Sequence, residues 1–173
     1  MSHLLVLFAI AAILLRIAML AVSIRHERAL RQNGAVEVGA ANTTVLALTH
    51  VAFYLAAIAE GALRSAPLDL VSWAGIGLYA FGMMMLLIVV RLLGKFWTVK
   101  LILARDHALV THPLFRRVRH PNYFLNILPE LVGFALAFHA FVTLIVGLAL
   151  YAVPLTIRIR QEEDAMRTRF DAY

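Results

Sequence analysis

Four long apolar stretches, separated by polar connections crowded with arginine, dominate this chain. A run of about 20 apolar residues satisfies its backbone polar groups as a helix and matches the thickness of a bilayer core. The stretches cover residues 4–24, 43–63, 68–93 (closed by Gly94) and 122–157. The last, at 36 residues, is too long for one crossing. It suffices for two short crossings near the lower limit of about 17 residues. With His139 and Ala140 at its middle, it predicts a helical hairpin. The expected fold is therefore an all-α integral membrane protein of about five transmembrane helices, the last two a hairpin, in a single domain over residues 1–173. Hydrophobic residues make up 62% of the chain, against roughly 45–50% in soluble domains. The first stretch lacks a basic leader and runs too long for a signal-peptide core.

The charges order these helices. Arg25, Arg28 and Arg31 lie in the first loop. Arg91, Lys95, Lys100, Arg105, Arg116, Arg117 and Arg119 lie in or beside the third connection, and Arg158, Arg160, Arg167 and Arg169 in the tail. With five crossings these three places share one side, and they hold all but Arg16 and Arg64 of the 16 basic residues. The bias predicts that this side is cytoplasmic and the N-terminus outside, with a bacterial inner membrane as the expected location. The net charge of +6 is thus explained by a membrane face, and no nucleic-acid partner is expected. There is no cysteine, which excludes thiolate chemistry and cysteine-bound metals. His107, His112 and His120 are joined by no clustered carboxylate, so no metal is expected.

The connection from residue 94 to 121 is the longest polar stretch, and long ordered connections tend to carry function. It contains His107-Ala-Leu-Val-Thr111 and ends in Arg119-His120-Pro121-Asn122-Tyr123. Pro121 biases His120 away from the helix and suits the start of the next one. A helix N-terminus therefore opens at the arginine-rich surface, where its free N–H groups favour an anion. The same residues also read as a snorkelling basic cluster in front of a proline-started helix. In the tail, Arg158 and Glu162 stand four apart, and Arg160 and Glu163 three apart. These are either ordinary interfacial pairs, worth a few tenths of a kcal/mol, or a carboxylate pair able to meet the ammonium of an amino-acid zwitterion.

In this order, the His-x-Leu-Val-Thr element, the Arg-His-Pro-x-Tyr element, the apolar hairpin, Arg158 with Glu162 and Glu163, and Phe170 with Tyr173 resemble the isoprenylcysteine carboxyl methyltransferase family. The resemblance covers residues 91–173, the expected cofactor-binding half. It implies a membrane methyltransferase using S-adenosyl-L-methionine, with a cytoplasmic cofactor pocket. It implies that His107, Leu109 and Val110 hold the adenosine part, that His120, Pro121 and Tyr123 line the methionine part, and that Glu162, with Glu163 beside it, meets the ammonium. Arg158, assisted by Arg91, would orient the methyl acceptor. That acceptor is expected to be a lipophilic or prenylated small molecule, most simply a carboxylate, delivered from membrane lipid. The chain departs from the family pattern at His112-Pro-Leu-Phe115, where Gly-x-Tyr is usual, and at Phe124-Leu-Asn126, where a glycine often follows the tyrosine. Both departures fall on the acceptor side. A reductase of the sterol-reductase type using a nicotinamide cofactor and a non-catalytic scaffold are the competing readings.

Three ionisable residues lie inside apolar stretches. Arg16 is about eight residues from the inner end of the first, or roughly 12 Å. Glu130 lies at similar depth in the fourth, and His50 slightly shallower in the second. Charges at such depth turn inward and find partners. Arg16 and Glu130 are therefore expected to pair, or to share a polar cavity with His50 along the acceptor path. Gly75, Gly77 and Gly82 are expected to serve helix packing.

Overall fold

The computed structural model describes residues 2–103 and 112–168. His107, Leu109, Val110, Phe170 and Tyr173 lie outside the described residues. The chain is mostly helical, and its one sheet among the described residues has two three-residue strands. Helix α1 spans His3–Gln32, strand β1 Val36–Val38, helix α2 Ala40–Leu63 and helix α3 Leu70–Leu93. Strand β2 is Leu101–Leu103 and the short helix α4 is Pro113–Arg117. Helices α5, Leu128–Ala137, and α6, Leu148–Arg167, are each led in by a wider π-helical turn, Asn122–Ile127 and Thr143–Gly147. Four helical segments are long and apolar enough to cross a membrane: His3–Gln32, Ala40–Leu63, Leu70–Phe96 and Thr143–Arg167. The segment Asn122–Ala137 is apolar but shorter.

Each helix ends where its sequence stops supporting it. Ser2 caps α1 by accepting from the Leu5 amide at 3.4 Å, and Gly34, at φ 77°, turns the chain beyond it. At 30 residues α1 is about 45 Å long, so its arginine-bearing last turns must project past a bilayer core of about 30 Å. Asp69 caps α3 by accepting from the Val71 and Ser72 amides at 2.9 and 3.1 Å. The Ser72 N–H in particular holds the Asp69 carboxyl below its ordinary pKa. The expected hairpin is present: α5 ends at Ala137 with Phe138 as its C-cap, and His139, at φ 52°, makes the turn. Its ring lies 3.0 Å from Asp69, tying the turn to the start of α3. Glu60 of α2 accepts from the amides of Val142 and Thr143, at 3.1 and 2.8 Å, and so caps the hairpin's second arm.

Close backbone contact joins α3 to α5. A Cβ on Gly75 would lie 2.3 Å from the Ala137 nitrogen, and one on Gly133 2.4 Å from the Tyr79 nitrogen. Only glycine permits this approach, the usual basis of close helix packing in lipid. Gly82 packs against Asn126 and Glu130 in the same seam, whereas Gly77 faces open space. Tyr79, Phe134 and Phe138 fill the interior beside the seam, and Phe8 of α1 packs on all three. Residues such as Leu7, Leu14, Leu48, Ile145 and Val153 remain exposed on the outer faces, as lipid contact requires.

The first loop and third connection meet in the antiparallel pair β1–β2, with Val36 opposite Leu103 and Val38 opposite Leu101. Three-residue strands give no periodic signal, so the sheet was not foreseen. It places both arginine-rich loops at one end of the bundle. Beside it Glu27, Arg31, Glu37 and Lys100 form an ion network. The hydrogen bond from Lys100 to Glu27, at 2.9 Å, raises the lysine pKa.

Candidate active site

At this end the chain encloses a cavity of about 440 Å³, within the range of roughly 300–1,000 Å³ typical of small-molecule sites. The last turns of α3 contribute Val89 and Leu93, and β2 one wall. The Arg119–Tyr123 segment gives a second wall, and α6 brings Arg158, Glu162 and Met166. His120 is 6% exposed, with its Nε2 3.3 Å from Glu163 and its ring stacked on Tyr123. Its Nδ1 is buried, 3.9 Å from a Glu162 oxygen, and has no hydrogen-bond partner among the described residues. The Tyr123 hydroxyl donates to Glu162 at 2.7 Å.

Arg158 differs from the expected surface pair. It is 4% exposed and turned into the bundle. Its Nε donates to the Tyr123 hydroxyl at 3.3 Å, and its two Nη atoms donate to Thr43 Oγ1 at 2.8 Å and to the Val99 carbonyl at 2.9 Å. Among the described residues no carboxylate pairs with it; Tyr123 stands between it and Glu162. The expected Arg160–Glu163 pair is absent as well. Arg160 is exposed, and Glu163 instead meets His120 and Arg167. Position 160 faces outward on α6, while Arg158 is turned into the bundle, where Tyr123, Thr43 and Val99 hold it in place of Glu162. A buried cation without a counter-charge is costly unless a ligand supplies one. Among the described residues three of the five guanidinium N–H groups are engaged, leaving two free.

A second cavity of about 200 Å³ lies deeper, between α1, α2 and the start of the hairpin. Trp97, Thr98, Asn122, Tyr123 and Arg158 line both cavities and form the wall between them. Arg16 and Glu130 do pair, with Arg16 Nε donating to Glu130 Oε1. The Tyr54 hydroxyl donates to the same oxygen, and His50 Nε2 lies 3.3 Å from it. The shared depth inferred from residue counting is thus realised as contact, and Arg16 and His50 line the second cavity.

The structure brings together Arg158, His120, Pro121, Tyr123 and Glu162, with Glu163 behind His120. It does not bring in Arg91, which is exposed on the last turn of α3 and lines neither cavity. Trp97, Thr43 and Asn126 belong to the site and were missed. Asn126, a polar residue four from Asn122 in an apolar run, was the one detectable signal.

The fold and cavities define a polytopic helical membrane protein with a polar site at its arginine-rich end. The profile of the "Isoprenylcysteine carboxyl methyltransferase (ICMT) family" matches residues 75–168. An uncharacterized protein of Haemophilus influenzae is 44% identical over 156 residues, 90% of this chain and 91% of that protein. The uncharacterized protein YpbQ of Bacillus subtilis is 29% identical over 157 residues, 88% of this chain and 90% of its own. No solved structure matches the chain significantly. The chain belongs to the isoprenylcysteine carboxyl methyltransferase family, and that membership implies a membrane methyltransferase.

Proposed function

We propose that the protein is an S-adenosyl-L-methionine-dependent methyltransferase acting on a lipophilic carboxylate that reaches it from the bilayer. The observation that carries this reading is Arg158, a buried guanidinium without a counter-charge in the wall shared by the two cavities. Its neutral partners hold it in place while two N–H groups stay free for an acid.

The larger cavity suits the cofactor. Glu162 offers a carboxylate to an ammonium, and Arg119 with the helix start at Pro121 offers a positive end to a carboxylate. The orphaned Nδ1 of His120 adds a polar atom for a ligand. Pro121 and Tyr123 complete this amino-acid end, with Glu163 fixing the His120 ring. His107, Leu109 and Val110 would hold the adenosine by the family pattern. S-adenosyl-L-methionine, when bound, supplies a methyl group already activated by its sulfonium, so neither metal nor general base is needed for an ionised acid. The protein's task is to position the acid and keep water out.

Calorimetry in detergent tests the cofactor. S-adenosylhomocysteine is expected to bind wild type, and Glu162→Gln to weaken it about tenfold or more, the scale of one lost charge-assisted hydrogen bond. Binding of NADPH in its place, or an unchanged affinity in the variant, would overturn the reading.

The arginine-rich end is taken as cytoplasmic and the short helix Asn122–Ala137 as the fifth crossing. A reporter fused after Tyr173 should then read cytoplasmic, and one inserted at residues 65–67 external. The reverse pattern would move the site to the other side of the membrane.

A further inference from the structure

We propose that the smaller cavity is the acceptor chamber and that it selects an amphiphilic hydroxy acid, an acid whose chain bears a hydroxyl near the carboxylate, over an acid with a purely hydrocarbon tail. The inference rests on the methyltransferase reading above. It comes from what lines the chamber away from Arg158.

Arg16 lies mid-helix in α1, yet its side chain is 24% exposed and it borders the chamber. Its guanidinium is engaged by Glu130. Glu130 itself is 0% exposed and balances the charge from behind, outside the chamber lining. Asn126 sits one helical turn before Glu130 and is 1% exposed. Its Nδ2 donates to Asn122 Oδ1 at 3.2 Å, while its own Oδ1 is buried without a partner among the described residues. The chamber therefore presents a buried acceptor, Asn126 Oδ1, with no donor among the described residues to meet it.

A hydrocarbon placed there would leave that acceptor unsatisfied, and so would a carbonyl or an ether, which cannot donate. A hydroxyl satisfies it by donating to Asn126 Oδ1. The rest of the lining accommodates a tail: Leu20 on α1 and Val51 on α2 border the chamber and are exposed on the outer surface. The acid would lie with its carboxylate at Arg158, its hydroxyl at Asn126, and its tail leaving between α1 and α2.

The test is acceptor binding to the full chain in detergent, saturated with S-adenosylhomocysteine, by calorimetry. The probes are hexadecanoic acid, hydroxyhexadecanoic acids with the hydroxyl at successive carbons from the carboxyl, their methyl ethers, and S-farnesylthiopropionic acid. One hydroxy isomer should bind about tenfold tighter than the parent acid, the value of one well-made buried hydrogen bond. Its methyl ether, which cannot donate, should lose that gain. Asn126→Leu should abolish the preference while the protein still binds S-adenosylhomocysteine. The proposal is overturned if no hydroxy isomer exceeds the parent, if the ethers bind equally, or if the farnesyl acid binds tightest. The wild-type comparison decides even if Asn126→Leu does not fold. Failure of the wild type to bind S-adenosylhomocysteine would instead sink the methyltransferase reading.

Discussion

Arg158→Ala is expected to lower kcat/KM on the order of 10²-fold or more, the usual cost of removing a preorganised charged donor from a reacting centre. The affinity for S-adenosylhomocysteine should change far less, because Glu162 and His120 remain at the larger cavity. Arg158→Lys should recover little. An ammonium restores the charge, but not the planar fork that reaches Thr43, Val99 and Tyr123 together. The check is a parallel measurement of turnover and calorimetric affinity on each variant. Equal loss of both would mean that Arg158 serves the cofactor site or only the fold. Retained binding of S-adenosylhomocysteine shows that each variant is folded, which matters because Arg158 also ties α6 to α2.

The second large effect concerns stability. Arg16→Met and Glu130→Gln should each destabilise the protein by about 3–5 kcal/mol, since either change strands a charge that its partner had compensated. Glu130→Gln has a further consequence. It removes the anion that the Tyr54 hydroxyl donates to and that His50 approaches, so α2 is loosened as well as α1. The double variant should cost less than the sum of the two, because no lone charge remains. Unfolding in mixed detergent, analysed as a double-mutant cycle, reads the coupling directly. Additive effects would mean that the contact between Arg16 and Glu130 contributes nothing to holding α1.

The two predictions bear on different parts of one arrangement. Glu130 fixes Arg16 from α5, and Arg16 borders the chamber whose opposite wall is Arg158. Loss of the first pair should therefore disturb acceptor binding before it disturbs the cofactor cavity, whose lining includes neither residue.

Local sequence determined the helices, because a bilayer allows few alternatives. An apolar run long enough to span it must be helical, and arginines gather on one side. Residues 122–157 accordingly announced a hairpin, and the structure turns at His139. The depth of Arg16 and of Glu130 followed from counting at a fixed rise per residue, so their pairing was legible although 114 positions separate them. His120, Tyr123 and Glu162 were legible for another reason: they fall in short elements whose order matches a family pattern.

Tertiary structure alone decided which way Arg158 points and what it meets. Its partners Thr43 and Val99 lie 115 and 59 positions away, and no spacing rule reaches that far. An i, i+4 rule favoured Glu162, but burial turned the guanidinium inward and put Tyr123 between them. Arg91 fell outside for the converse reason, since its place on the last turn of α3 faces away from both cavities. Trp97, Asn126 and the β1–β2 pair entered only once α3 and α5 had closed on their glycines and the loops had met. A membrane specifies how each helix runs; the cavities depend on which helix faces touch, and that is settled by close packing between residues distant in the chain.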